Sequence, residues 1–323
     1  MSVLVTGGAG YIGSHVVRLL KNQGKNVVVA DDLSTGIAER VGETPIHQIE
    51  LGSASATEEL RTIIKSAGVT SVIHFAAKKQ VGVSVEQPEL YYLQNVGGLA
   101  NLLTAMRLEG VDRLVFSSSA ATYGMPDVEA VGEDILCQPI NPYGETKLIG
   151  EWLTADAARA WGLRHANLRY FNVAGAGWPE LADTAVMNLI PIVFDAMTKG
   201  KAPQVFGDDY PTPDGSCIRD YVHVLDLAEA HVAALDYLER ESRAHHTFNV
   251  GTGRGSSVFE VLDAIRAASG VDFEHEVAAR RAGDPPRLCA DVSRIEKEFG
   301  WKAKNSLSEI VESAWQANLA QKQ

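Results

Sequence analysis

Thr6-Gly7-Gly8-Ala9-Gly10-Tyr11-Ile12-Gly13 follows directly on the β-branched run Val3 to Thr6 and opens onto a segment of helical period. Gly8, Gly10 and Gly13 fit G-x-G-x-x-G, and Gly7, Gly10 and Gly13 fit a more widely spaced form of the same pattern. Beyond the glycines, Ile12, Val16, Leu19 and Leu20 repeat at helical spacing and make one apolar face, and Gly24 supplies the stop. A second strand-like run, Val27 to Ala30, follows. A glycine turn between strand and helix lets an anion approach the backbone, where the helix N-terminus offers N–H groups and partial positive charge. Phosphate can be held there without a lysine. Tight turns use the same glycines for their own sake, so the weight of the pattern comes from its context. Asp31 stands 18 residues after Gly13, close to the roughly 20 at which a carboxylate accepts from adenosine ribose hydroxyls. The combination points to a dinucleotide. Asp31 and Asp32 would repel a 2′-phosphate, which favours NAD over NADP.

Working outward, Ile46 to Leu51, Val72 to Ala76 and Leu114 to Ser119 read as further strands, alternating with longer segments of helical period. Strands that are apolar throughout belong to a parallel sheet buried on both faces, and right-handed crossovers then give a doubly wound, Rossmann-type α/β fold. Ligands of such a fold sit at the carboxyl ends of the strands. Asn141-Pro142-Tyr143 reads as a helix start, with Asn as cap and Pro at the first position, and the helix runs to Trp161 before Gly162. Pro88 to Glu109 reads as another helical stretch. After about Asn172 the regularity loosens, although Ile218 to Val224 still reads as a strand leading into a helix over Leu225 to Leu238. The expected organisation is a dinucleotide-binding domain over residues 1–172, with some later segments returning to it, and a smaller mixed α/β substrate lobe over residues 173–323.

Composition narrows the function. Lys plus Arg total 29 against 41 Asp plus Glu, a net charge of −12, which argues against nucleic acid or an anionic membrane as partner. Cys137, Cys217 and Cys289 lack the spacing of a zinc site or a disulfide framework and suit a reducing cytosol. The strand-like start and the lack of any apolar run near the ~20 residues a membrane span needs lead to the expectation of a soluble, cytoplasmic protein. His74, His223, His245 and His246 fall in no HExxH or clustered pattern, so no metal is expected.

Tyr143-Gly144-Glu145-Thr146-Lys147 puts a tyrosine and a lysine four apart on one helix face. A tyrosine with an ordinary pKa of about 10 needs its phenolate stabilised to serve as a base near neutrality, and a lysine ammonium provides that. Y-x-x-x-K is common on ordinary helices and means little alone. Ser117-Ser118-Ser119 closes the fifth strand at the ligand-binding edge of the sheet, where a hydroxyl can bond an oxygen that alternates between alcohol and ketone. Ser117 and Ser118 read as ordinary turn formers and Ser119 as the functional one. Glycine cradle, strand-end serine and Tyr/Lys helix occur in order within one half of the chain.

At this point the sequence resembles the extended short-chain dehydrogenase/reductase family, and within it the sugar-nucleotide 4-epimerases, over essentially its whole length. The carrying stretches are Thr6 to His15, Val72 to Ala77, Phe116 to Gly124, Asn141 to Lys147, Leu168 to Asn172 and Arg219 to Leu227. The resemblance implies interconversion of UDP-glucose and UDP-galactose at C4. Tyr143 would take the C4 hydroxyl proton with Lys147 and Ser119 assisting, NAD would accept the C4 hydride, and a transient 4-keto sugar would turn before hydride returns. It implies contacts to NAD from Gly7, Gly10, Tyr11, Ile12, Gly13, Asp31, Asp32, Glu50, Leu51, Phe75, Ala76, Ala77, Lys79, Asn95, Ser119, Tyr143, Lys147 and Phe171. It implies contacts to the nucleotide-sugar from Ser119, Tyr143, Asn172, Asn188, Leu189, Gln204, Phe206, Arg219, Tyr221, Arg281 and Asp284. Arg219 and Arg281 suit a diphosphate; the lesser alternative for Arg219 beside Asp220 is a surface ion pair.

Three departures stand out. The Gly-Asp pair usual after the third strand reads Glu50-Leu51, the stretch between Asn172 and Asn188 is short and unlike the usual acidic Gly-rich loop, and Leu288 replaces a large aromatic, which leaves room for an N-acetyl group. A related 4,6-dehydratase would need an acidic pair where Ala120 and Ala121 stand. A plain dehydrogenase would release NADH, and an NAD-sensing regulator would need neither Tyr143 nor Lys147. Apolar residues such as Tyr91, Leu99, Leu102 and Leu103 fit packing onto the sheet, and by resemblance a four-helix homodimer interface.

Overall fold

The computed structural model describes residues 2–240, 246–281 and 283–321. From the N-terminus, β1 (Ser2–Thr6) enters the glycine turn, α1 (Tyr11–Asn22) follows, and Gly24 turns the chain at φ +72 into β2 (Asn26–Asp31). Next come β3 (Ile46–Gln48), α2 (Ala56–Ser66) and β4 (Ser71–His74). The expected strands Ile46 to Leu51 and Val72 to Ala76 both stop early, each where one neighbouring strand ends. β3 pairs only with β2, whose last partner is Asp31 opposite Gln48, so Ile49 makes one more bond to the Asp31 carbonyl and the chain turns inward. Past His74, the amides of Phe75 and Ala76 share the carbonyl of Thr6, where β1 ends.

The expected helical stretch over Pro88 to Glu109 forms without interruption, after a short separate helix. α3 (Val81–Glu86) and α4 (Pro88–Tyr91) meet at Gln87, which lies outside helical geometry before a proline that donates no N–H. A π-helical turn over Tyr92–Gly97 then inserts before α5 (Gly98–Leu108) and rolls Asn95 into the interior. β5 (Arg113–Ser119) leads to α6 (Pro142–Trp161), which starts as read: the Asn141 carboxamide oxygen accepts from the Gly144 amide, Pro142 is first, and Gly162 ends it at φ +80. β6 (Arg164–Tyr170) follows.

The remaining elements are β7 (Asn172–Ala174), α7 (Leu189–Thr198), β8 (Gln204–Phe206), β9 (Ile218–His223), α8 (Val224–Leu238), β10 (Thr247–Val250), β11 (Gly255–Ser257), α9 (Val258–Ser269), β12 (Glu276–Ala278), β13 (Arg287–Leu288), α10 (Ser293–Phe299) and α11 (Leu307–Ala320). Seven strands form one sheet in the order β10-β6-β5-β4-β1-β2-β3, with parallel register from β3 through β5. Strand order reverses at β1, which lies between β2 and β4, as a doubly wound fold requires.

Two compact units divide the chain. The first comprises Met1–Gly124, Leu136–Arg169 and Ala228–Phe248 and holds most of the sheet; one face is sealed by Leu60, Ile64, Leu102 and Met106 packed on Leu4, Val72 and Leu114. The second comprises Met125–Ile135, Tyr170–Leu227 and Asn249–Gln323. Its sheet centres on β9, flanked by β7, β11 and β13, and its core gathers Val193, Phe194, Val261, Ile265 and Ile310. Reciprocal capping boxes, Ser257 with Glu260 and Ser306 with Glu309, fix where α9 and α11 begin.

Candidate active site

The glycines of the first turn divide by what a side chain would strike. A Cβ on Gly13 would collide with the Gly7 carbonyl oxygen, one on Gly8 would lie 2.8 Å from a Val29 methyl, and one on Gly7, at φ +71, would lie 2.7 Å from the Ala76 amide. These three let the turn after β1 close against α1, β2 and the loop after β4. A Cβ on Gly10 meets only the Gly7 oxygen, at 3.3 Å. Gly10 is also the N-cap of α1 and supplies no side-chain acceptor to its amides. The open side of the turn and an uncapped helix start therefore coincide, which is the arrangement a dinucleotide pyrophosphate needs.

Asp31, at the end of β2, is buried and tied to this turn: Oδ2 accepts from the Ala9 amide at 3.0 Å and Oδ1 from the Leu33 amide at 2.9 Å. Burial pushes its carboxyl above the ordinary value against those two donors. Each oxygen keeps a lone pair for a ribose hydroxyl, so Asp31 is a built part of the cradle rather than a solvated turn residue. Asp32 differs. Burial works against its charge, but the Ser34 hydroxyl and amide and the Lys78 ammonium outweigh it and hold its carboxyl below the ordinary range. Lys78 reaches Asp32 at 3.1 Å and Ser34 at 2.9 Å, whereas Lys79 is exposed. Asn95 does not act through the helix it sits on. Its carboxamide accepts from the Lys78 amide at 2.8 Å and donates to the Lys78 carbonyl and to Thr146 Oγ1, both at 3.0 Å. At the sheet's edge Glu50 accepts from Gln94 at 2.5 Å and Leu51 is buried in the core. Phe75 lies against the His231 ring, and Tyr11 meets His15 edge to face. Ile12, Ala76 and Ala77 are half-buried at the turn and the loop after β4.

The chemistry-bearing side chains gather on α6 and the end of β5. Gly150 lets α6 lie on β5, since a Cβ there would come 2.5 Å from Phe116, and Gly144 lets the helix start press on the turn after Ser119, 2.6 Å from the Ala121 carbonyl. Tyr143 is thereby carried to the strand end where Ser119 accepts from the Ala121 amide. Lys147 is 3% exposed, donates to the Ser117 carbonyl at 2.8 Å, and has its ammonium 5.9 Å from the Tyr143 ring centre. Burial pulls its pKa down to about 8, with the Glu151 carboxylate opposing. Ser117 and Ser118 are strand residues and not turn formers, because β5 runs through both; one offers its carbonyl to Lys147, and the hydroxyl of the other donates to Glu151 at 2.5 Å. Glu151 takes a bidentate, buried contact from Arg169 on β6. Burial alone would lower the Arg169 pKa, yet Glu151 raises it above the ordinary arginine value. His74 at the end of β4 bonds Thr6 at 2.6 Å, and burial, then Lys147, brings its pKa down to about 3, so it stays neutral. Glu151 was not anticipated; its signal was the repeat of the four-residue spacing, Tyr143, Lys147, Glu151.

In the second unit Arg219 does not pair with Asp220. Neighbours on a strand point to opposite faces: the Arg219 guanidinium donates to Asp284 at 3.2 Å and to the carbonyls of Pro285 and Ile218, while Asp220 is buried, accepting from the amides of Thr252, Gly253 and Ala290. Tyr221 is buried two positions on and stands in register with Asn172. Arg281 lies with its guanidinium 3.7 Å from the Phe206 ring centre, beyond exposed Gln204 on the same strand. Asn188, at the start of α7, donates to Asp183 at 3.0 Å, and Leu189 packs against the core. Phe171 is buried with its amide on the Val250 carbonyl, and Leu288 is half-buried in β13. Among the described residues no three His, Cys, Asp or Glu gather as metal ligands, and His245 lies outside those residues. Also among the described residues, no helix is long and apolar enough to cross a membrane.

The chain belongs to the NAD dependent epimerase/dehydratase family, whose model matches residues 3–251. It is 43% identical over 319 residues to the UDP-glucose 4-epimerase of Corynebacterium glutamicum, covering 98% of this chain and 95% of that one. Among solved structures, the UDP-glucose 4-epimerase of Stenotrophomonas maltophila with bound NAD and formylated UDP-arabinopyranose superposes with a TM-score of 0.93 at 40% identity, over 100% of this chain and 99% of that one. The Brucella ovis UDP-glucose 4-epimerase in complex with NAD gives 0.92 at 43% identity over 98% of each.

Proposed function

We propose that the protein interconverts UDP-glucose and UDP-galactose by inversion at C4, with NAD held by the first unit. The observation that carries this reading is the placement of Tyr143, Lys147 and Ser119 at the strand ends of a sheet whose first turn is an open glycine cradle backed by Asp31. The glycine turn and Asp31 would hold NAD, which would supply a hydride acceptor, and in its reduced form a hydride donor, for C4. The Lys147 ammonium stabilises the phenolate form of Tyr143, which takes the proton of the C4 hydroxyl and becomes the neutral phenol. Ser119 donates to the same oxygen and keeps it in line with the base.

For the nucleotide-sugar, Arg219 is the strongest candidate, with a half-sequestered guanidinium already fixed by Asp284 and two carbonyls. Its planar fork suits a diphosphate, and an anchored nucleotide leaves the hexose free to turn. The Phe206–Arg281 stack, with Gln204, supports contacts to a planar base or its ribose phosphate. Asn172, Asn188, Leu189 and Tyr221 complete the reading. Exposed Val85, Leu93 and Trp152, on α3, the π-helical turn and α6, support a homodimer through these helices. Three free thiols support residence in the cytoplasm.

Purified protein given UDP-galactose without added nicotinamide, with UDP-glucose followed by chromatography, tests the reading. Formation of UDP-glucose supports it; no conversion even with NAD supplied would exclude this substrate pair.

A further inference from the structure

The loop after β4 and the loop after β2 flank the end of β1, which lies between the two strands. Two strand spacings, about 10 Å, separate their carboxyl ends. One side chain spans that gap. From the loop after β4, Lys78 sends its ammonium to the loop after β2, to Asp32 Oδ2 at 3.1 Å and Ser34 Oγ at 2.9 Å. Both ends are also held by bonds other than the contact itself. Asn95 pins the Lys78 backbone through its N–H and its carbonyl, and also bonds Thr146, which sits between Tyr143 and Lys147 on α6. On the far side, Asp32 is held by the Ser34 amide at 2.9 Å and hydroxyl at 2.7 Å. Preset ends lower the entropic cost that usually cancels an exposed ion pair. The pair is about one-third exposed at each partner, 32% and 31%, so it is open to salt and free to break.

We infer that Lys78 is a strap across the dinucleotide crevice, closing on Asp32 and Ser34 over the adenosine side of bound NAD and slowing its release. This rests on the reading of the first unit as an NAD site. A reaction with no net oxidation has no need to exchange its cofactor, so a strap that retains NAD serves it. The same ammonium offsets Asp32, which leaves Asp31 as the carboxylate that discriminates against a 2′-phosphate.

The test uses the full-length protein loaded with radiolabelled NAD and chased with excess unlabelled NAD, at low and high salt. Wild type, Lys78→Met, Asp32→Asn and the double variant are compared after thermal melting shows each folded. Lys78→Met is expected to release label about three- to fivefold faster at low salt, the range of an exposed ion pair. Asp32→Asn should match it, the double variant should add nothing further, and high salt should bring wild type to the same rate. Equal release from wild type and Lys78→Met at low salt would overturn the strap, as would full additivity of the two substitutions. Failure of the wild type to retain label at all would instead overturn the NAD reading beneath it.

Discussion

Lys147 Nζ donates to the carbonyl of Ser117 at 2.8 Å from a position almost closed to solvent, between the Phe116 and Tyr143 rings. A buried cation anchored by one carbonyl costs stability and is retained where its charge is used. Folded, its pKa is about 8, against an ordinary 10.5. Between these values the unfolded chain holds a proton that the folded chain lacks, so stability rises as pH climbs through the window, and the burden is full below it. Lys147→Met should therefore melt higher than wild type at pH 7, with the gap narrowing toward pH 10.5, while turnover is lost. Melting curves across pH check this.

Tyr143→Phe removes the acid–base group and keeps its ring. Turnover should fall roughly a hundredfold to ten-thousandfold, with melting temperature and bound NAD unchanged. Quantifying nucleotide released on heating, beside the rate assay, separates loss of chemistry from loss of cofactor.

The two ends of the glycine turn should respond differently to one methyl group. Gly10→Ala puts its Cβ 3.3 Å from the Gly7 oxygen, a tight contact that a shift of a few tenths of an ångström relieves, so the protein should fold with a small loss of stability yet hold NAD poorly, because the methyl fills the place of the phosphate. Gly13→Ala drives a Cβ into the Gly7 carbonyl and should lower stability outright. Calorimetry with and without NAD distinguishes them.

Glu151→Gln leaves Arg169 buried without its counter-charge, for which losses of about 3–5 kcal/mol are typical. Glu151→Gln with Arg169→Met should recover part of that loss, since the isolated charge is gone. Chemical denaturation of the two variants measures the difference.

What was legible in the sequence was local. The cradle, the Asn141–Pro142 cap and the Tyr143/Lys147 face each depend on residues a turn or two apart, and each forms as the spacing implies. What was hidden depends on partners far along the chain. Asn95 faces the Lys78 backbone only because a π-helical turn shifts the helix phase, and periodicity assumes an unbroken one. Glu151 meets Arg169, and Lys78 meets Asp32, through sheet order, which no local pattern encodes. β3 stops at Gln48 because β2 ends opposite it, although Ile49 and Leu51 are as apolar as any strand. In β9 the adjacent charges Arg219 and Asp220 read as a pair until strand alternation separates them.

The central claim is that hydride leaves C4 and returns to C4 within one enzyme-bound cycle. UDP-galactose deuterated at C4, incubated with the purified protein and no added nicotinamide, tests it most directly. The account predicts UDP-glucose with deuterium retained at C4 and no accumulating NADH. Label lost to solvent would mean inversion by proton abstraction, and label collected in free nicotinamide would mean a releasing dehydrogenase; either result contradicts the account.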